Sequence, residues 1–563
     1  MKSLWTMLAL LVAAVAPAQM EPPAAGFMQA MGAGMKRMDR DMAAAPMNGD
    51  VDHDFAAMML PHHQGAIDMA KAELSFGENP VMRRLAQEIL ADRQSEIDAM
   101  KLWLNKNAVA AAAQAGDRVY TAEQTSNTVS VIDPAGNKLL GSIHLGEDVP
   151  AALSPLYRGE LLVHGLGFSP DHKTLAVVSI ASNSVTLIDT GTNAVKGRIY
   201  LGRAPHEAFF TPNGRELWVA VRGENYVSII DPLRQKEVRR VETANGPGMV
   251  LFRPDGKYAF VPSSFTPEMD VIDTSTYQVT ARVPQVSPFS PNLAVDRDEV
   301  WLTLKDTGKT QVVSAHPPFA TITVLETGPI TNHVTFVTNK AGRFAYVSIG
   351  GKDQVLAYRR DAGATPKLVA TIQTGDLPHG IWGSGDGRRV YVGLENGDAV
   401  QAIDTATNQI VANIPVGQLP QALVYVPNAI TSGAGTANLK PLGLATEALH
   451  VELRSPPGSN SAAHASVSIN SLGPIDNLQI AATGLRPGKQ YTLVLVGGRE
   501  PQDLAIFTAG IGGAAIAQTL GPLKRAVTPW QTAPAMRLEV RSNETGPGNL
   551  VLQQAPPKTG TAQ

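Results

Sequence analysis

Short runs of alternating apolar and polar residues fill the chain from residue 118 to 428, recurring with a period of roughly 40 residues. "NTVSVID" (127–133), "NSVTLID" (183–189), "NYVSIID" (225–231), "EMDVID" (268–273) and "DAVQAID" (398–404) each end in Asp. Each follows a strand-like run such as "LWVAV" or "VYVGL" and a turn of the "sPdG" type. Four short strands per copy at this period predict the blades of a β-propeller. Seven copies are present, at 118–146, 164–202, 206–246, 247–286, 290–328, 332–375 and 378–417. The first lacks an inner strand, and "PQALVYVPN" (420–428) is an inner strand with nothing after it. Pairing the two closes the ring and removes an open edge. An insertion, about Glu147 to Val163, enters just before the second blade and suits a cover for the channel mouth or a passive loop about equally.

Upstream the period changes to that of a helix. Asp52 to Phe76 forms one amphipathic run, ended by Gly77 and followed by Asn79-Pro80. Val81 to Asn105 forms a second, with Leu85, Ile89, Ile97, Met100 and Leu104 at helical spacing. An Ala/Met/Gly segment precedes them, in which Met28, Met31, Met35, Met38 and Met42 also keep helical spacing. That stripe suits packing on the bundle or soft-metal capture about equally. Downstream, "ALHVELRS", "LQIAATGLRPGKQYTLVLVGG", "LAIFTA" and "MRLEVRS" read as strands of an immunoglobulin-like sandwich. The expected plan is a signal peptide (1–18), a helical His/Met-rich metal-binding module (19–107), a linker (108–117), a seven-bladed propeller (118–428), a linker (429–446), a β-sandwich (447–555) and a disordered tail (556–563). The fold class is multidomain and mainly β.

Composition narrows the chemistry. Charged residues are 17% and the formal net charge is −3, so there is no basic footprint for nucleic acid. Lys2, the apolar run Leu8 to Val15 and Ala16-Pro17-Ala18 read as a secretory signal cut after Ala18, which implies a periplasmic or secreted protein. No later segment is long and apolar enough to span a bilayer. There is no cysteine, which excludes disulfides, c-type haem attachment, iron–sulfur clusters and thiolate copper sites. Any metal must use His, Met, carboxylate, amide or backbone ligands.

Two sets of residues remain. Aligning the blades on their turns puts His164, His206, Gly248, Asn292, His333, His379 and Gln421 in one column at the start of the inner strands. A closed ring would aim four imidazoles at one axis, with Gln421 and Asn292 beside them, as a metal or ligand site. A water-filled channel lined by hydrogen-bonding residues is the plain alternative. Glu224, Asp353, Glu395 and Asp398 fall on blade loops expected to share that face. In the helical module, Met58 with His62 and Met59 with His63 stand four residues apart, and Met69 lies two turns beyond His62. Thioether plus imidazole suits copper, with Asp54, Asp68 and Glu96 as oxygen donors or orienting partners, although methionines also fill bundle cores.

"DFAAMMLPHHQGAIDMAKAEL" (54–74) with "NPVMRRLAQEILADRQSEIDAMKLWL" (79–104) resembles the family known as domain of unknown function 305, a helical bundle marked by M-x-x-H-H-x-x-A-I-x-M-A. That resemblance implies copper handling through His62, His63 and nearby methionines. Residues 118–428 look like the YVTN propeller family, whose architecture is shared by 6-phosphogluconolactonase-type lactonases, cytochrome-d1 domains and the propeller of nitrous oxide reductase. No G-x-S-x-G, H-E-x-x-H or phosphate loop occurs. The sequence therefore points to an exported metal-binding protein that captures or buffers copper, or another divalent metal, with the channel as a second site. Periplasmic proteins docking on the propeller face or the β-sandwich are the other partners it allows. The alternatives are a propeller enzyme, metal-redox or lactonase-like, and a metal-free scaffold.

Overall fold

The computed structural model describes residues 23–43, 45, 51–106, 116–146, 159–287, 289, 292–361, 363–459, 461–472, 475–523, 536–544 and 549–555. The signal peptide, the first linker up to 115, most of the 147–163 insertion and the tail beyond 555 lie outside them. The chain divides into two compact units, Met1–Val109 and Ala110–Gln563.

In the first unit α1 (Pro23–Ala43), α2 (Val51–Phe76) and α3 (Pro80–Lys106) pack together, α2 against both neighbours. Gly65 makes the α1–α2 approach possible: a Cβ there would meet Met38 Sδ at 2.6 Å. Asn79 caps α3, its side-chain oxygen accepting from the Val81 N–H at 2.9 Å. Among the described residues no helix is long and apolar enough to cross a membrane.

The second unit begins with seven four-stranded antiparallel sheets. Blade 1 takes its inner strand, Pro420–Val426, from the far end of the propeller; it pairs with Arg118–Glu123, with Tyr120 opposite Val424. Tyr425 Oη donates to Asp117 Oδ2 at 2.5 Å across the same junction. The recurring "ID" ending has a local cause. Asp133, Asp189, Asp231, Asp273 and Asp404 each accept, through Oδ1, backbone N–H groups two or three residues on, turning the chain into the outermost strand. The second and third strands of most blades are buried on both faces, whereas the outermost strand alternates, as in Lys236–Glu242.

The segment after the ring climbs the outer strand of blade 1. Lys440 forms a bridge with Ser142, Asn193 Nδ2 donates to the carbonyls of Gly435 and Ala437, and His144 Nε2 lies 3.0 Å from the Pro441 carbonyl. The C-terminal unit that follows is all antiparallel, and the expected sandwich takes the form of one curled, barrel-like sheet. Its eight strands run in the order 502–508, 490–496, 537–542, 550–554, 449–454, 464–471, 476–483, 515–521, and the two outermost lie against each other. This unit rests on the loops that follow the second strand of blades 1, 5, 6 and 7. Asn396 Nδ2 donates to Ser466 Oγ (2.9 Å), Gln479 Nε2 to Glu395 Oε1 (2.7 Å), Asn477 Nδ2 to Thr125 Oγ1 (3.3 Å), and the Gly512 N–H to the Asp306 carbonyl (3.2 Å). Inner strands begin on this same face.

Candidate metal centre in the propeller channel

Five inner strands are entered through a residue in the left-handed region: Leu162, Ala204, Ile330, Leu377 and Leu419, with φ between 50° and 55°. Directly afterwards the pairing slips by one residue, so two residues of the inner strand face one of its neighbour. Such a bulge breaks strict alternation and re-aims side chains. Here it turns consecutive residues toward the axis in two layers.

In the first layer, side chains bond the backbone of the next blade. His206 Nδ1 donates to the Gly248 carbonyl (2.7 Å), Asn292 Nδ2 to Asn332 (3.3 Å) and His379 Nδ1 to Gln421 (2.8 Å). His164 completes the set, its Nε2 lying 2.9 Å from Nε2 of His206. Sequence alignment puts His333 in this column, but the bonding puts Asn332 there. The cause is a longer hairpin: Thr331 pairs with Ile349, two residues more than separate Pro378 from Leu394. His333 falls in the second layer, level with Glu207, and still meets the cluster. Ring centroids are 4.5 Å apart for His164 and His206, 6.4 Å for His164 and His379, and 4.8 Å for His333 and His379.

The tautomers follow from the bonds. A carbonyl only accepts, so His206 and His379 carry their protons on Nδ1. Nε2 of His206 is then a bare lone pair, and His164 donates to it from its own Nε2. That leaves Nδ1 of His164 buried without a partner. Burial holds all four imidazoles below their ordinary value, His333 down to about 3, and the charges of Lys305 and Arg222 add to the effect. They are therefore neutral at physiological pH, the form that binds metal. Glu207 is 1% exposed, and burial pushes its carboxyl up to about 8. Its Oε1 has no partner. Donor atoms of His164, His206 and Glu207 all lie within 4.8 Å of one another, and among the described residues this is the one such group of three His, Asp or Glu donors. Beneath the layers the channel opens into a cavity of about 190 Å³ that Glu207, His333, Phe209, Met249 and Trp382 help to line.

The helical module arranges its residues differently. His63 is buried and its Nε2 lies 2.7 Å from Glu96 Oε2, which also receives Arg93. His62 is exposed, its ring 5.8 Å from that of His63. Met58 is exposed, and Met59 and Met69 are half-buried. Asp68 is engaged by Arg37 (2.9 Å) and Gln64 (3.3 Å) rather than by an imidazole, and Asp54 is half-buried in the first turn of α2. The structure brings His63 and Glu96 together.

Residues 2–104 match the family described as domain of unknown function (DUF305), and residues 166–427 match the YNCE-like β-propeller family. The chain carries both modules. No curated protein matches it. Among solved structures, Kuenenia stuttgartiensis hydrazine synthase is 19% identical with a TM-score of 0.43, over 49% of this chain and 94% of that one. A functionally unknown Desulfotomaculum acetoxidans protein is 11% identical with a TM-score of 0.46, over 55% and 99%. The Pseudomonas aeruginosa periplasmic gluconolactonase PpgL is 18% identical with a TM-score of 0.45, over 55% and 99%.

The YNCE-like propeller also holds functional candidates that the sequence reading passed over. Glu207 follows His206 directly, and only the bulge brings both to the axis. Arg222 and Lys305 each follow the last residue of a second strand, Val221 and Leu304, one step above the histidine layer. Glu395, already expected on this face, occupies the matching place in blade 7, its Oε2 3.8 Å from His379 Nε2. A second repeat column, read one residue past each second strand, is the sequence signal that finds them.

Proposed function

We propose that this is an exported metal-binding protein whose principal site is the channel cluster of His164, His206 and Glu207, with His379 and His333 adjoining. One observation carries the reading: two neutral imidazoles present Nε2 atoms 2.9 Å apart beside a buried carboxyl oxygen that bonds to nothing. Nitrogens at that distance, each about 2.0–2.1 Å from one ion, subtend roughly 90° at it. An ion there would replace the proton between the two rings and the proton that burial keeps on Glu207. Imidazole and carboxylate without sulfur favour Cu(II) or Zn(II) over Cu(I). The role is capture or buffering. Metal content of the reconstituted full-length protein tests it: the His164→Ala/His206→Ala pair should hold one metal fewer than the parent, and equal stoichiometry and affinity would overturn the assignment.

The DUF305 module is the second site, for copper, through exposed His62 and Met58 with Met59 beside them. Its distinguishing property is preference for Cu(I). Substituting His62 and His63 by Ala should weaken Cu(I) binding at least tenfold while leaving Cu(II) or Zn(II) uptake in the channel unchanged.

A further inference from the structure

Arg222 and Lys305 stand on the histidine face of the channel, and among the described residues neither side chain has an ion pair or hydrogen bond. Their positions follow from the blade pattern. Arg222 succeeds Val221, which pairs with Pro205 immediately before His206. Lys305 succeeds Leu304, and its backbone N–H donates to the Phe289 carbonyl. The guanidinium is held between two rings, 5.1 Å from Phe289 and 5.8 Å from Phe265. Both cations are surrounded by protein yet keep part of their surface open, as groups facing an internal chamber do. Burial pulls Arg222 down to about 10, so the guanidinium stays charged at neutral pH; burial also pulls Lys305 below its ordinary value, against the upward pull of the Glu395 charge. They act on the same space: Arg222 depresses His164 and His206, and Lys305 depresses His164, His333 and His379.

The nearby acid, Glu395, acts on Lys305 through its charge but forms no ion pair or hydrogen bond with either cation among the described residues. Glu395 directs Oε1 to Gln479 of the C-terminal unit and Oε2 toward His379. The other carboxyl on this axis, Glu207, bonds to neither cation and leaves its Oε1 without a partner. Two unpaired cations beside four neutral imidazoles form a positive chamber with rigid donors. Cations drawn this far from bulk water are normally ion-paired, and among the described residues these two are not. A flat guanidinium fixed by stacking is suited to two-point recognition of oxygen pairs, with an ammonium as a point charge opposite.

We infer that the channel mouth binds a small oxyanion, a carboxylate- or phosphate-bearing ligand, between Arg222 and Lys305 above the histidine cluster. The site is carried by the cations and does not depend on the metal reading. The test uses the full-length protein stripped of metal by a chelator, which is then removed. Inorganic phosphate and malonate are the probes, with sodium chloride at matched ionic strength as the reference. At least one probe should raise Tm saturably at millimolar concentration or below while chloride does not; the stronger probe identifies phosphoryl or carboxylate as the preferred group. Arg222→Gln and Lys305→Gln should each weaken that binding at least tenfold. Lys305→Gln should also melt, without anion, no lower than the parent, because the lysine side chain makes no ion pair or hydrogen bond for the substitution to break; a structural lysine would lower Tm. Lys305→Arg should retain binding. Absence of a saturable shift with either probe, or equal shifts in both Gln variants, overturns the inference. Metal uptake in the same preparations is scored separately, so either site can fail alone.

Discussion

Replacing Gly165 by Ala tests whether the centre depends on how closely the inner strands of blades 2 and 3 approach. A Cβ at residue 165 would lie 2.2 Å from the His206 carbonyl oxygen, 2.8 Å from Glu207 Oε2 and 3.0 Å from Glu207 Cα. Two of these are backbone atoms and cannot swing aside. An ordinary carbon–oxygen contact is more than an ångström longer than the first, so the strand bearing His206 must move. Overpacking of this kind costs about 1–3 kcal/mol, occasionally more. In a ring of this size that lowers Tm by a few degrees. Metal binding should suffer more than stability, since a displacement near 1 Å separates the His164 and His206 nitrogens and carries Glu207 with them. Calorimetric melting and competitive metal titration read the two effects. The control is Gly191→Ala, on an exposed turn where the nearest atom to a new Cβ is Asp189 Oδ1 at 3.4 Å. If Gly165→Ala behaves like that control, with Tm and affinity at parental values, the close approach does not position the site.

Three further outcomes are expected. Glu123, Glu207 and Asp398 are all pushed up to about 8 by burial. Raised carboxyl values mean that the folded protein keeps protons the unfolded chain has lost, so above about pH 6.5, where the four buried imidazoles are neutral folded or unfolded, metal-free stability falls as pH rises toward 8; chemical denaturation that gives a flat or rising profile between about pH 6.5 and 8 contradicts the burial argument. Tyr425→Phe removes the bond to Asp117 at the ring closure and should cost about 1.5–3 kcal/mol by urea unfolding, and a loss below about 0.5 kcal/mol would show that the closure does not rely on it. Gln479→Ala leaves the buried Glu395 carboxylate short of a donor, at about 1–3 kcal/mol, and should hasten protease cleavage between the propeller and the C-terminal unit; unchanged digestion kinetics would mean that this contact does not hold the unit down.

Much of the architecture was legible because repeats repeat their errors as well as their rules. The Asp-ended strands, the missing inner strand of blade 1 and its spare copy at 420–428 needed only the period-2 pattern. The axial column was legible for His164, His206 and His379, whose blades share one hairpin length, and for Gln421 on the closing strand, where the same turn spacing recurs. It slipped at His333 because two extra residues in the Thr331–Ile349 hairpin shift the turn used as the alignment anchor without altering apolar alternation. Glu207 was hidden by the assumption that adjacent strand residues face opposite ways, which a bulge suspends. The curled form of the C-terminal sheet was not legible, since alternation in 447–555 specifies strands and faces but not which strands pair. Nor was its seat above the channel, which depends on Asn396, Gln479 and Asn477, residues of no distinctive pattern.

The split blade also sets a schedule for synthesis. Arg118–Glu123 leaves the ribosome roughly 300 residues ahead of its partner Pro420–Val426, and at about 5–20 residues per second that delay is some 15–60 s. Throughout it, the first sheet presents an unpaired edge and the ring cannot shut. A nascent chain of this design needs either a holdase or rapid passage to the point where residue 426 is free, and any pause in translation between blades 2 and 7 prolongs the interval in which one copy's edge can capture another's.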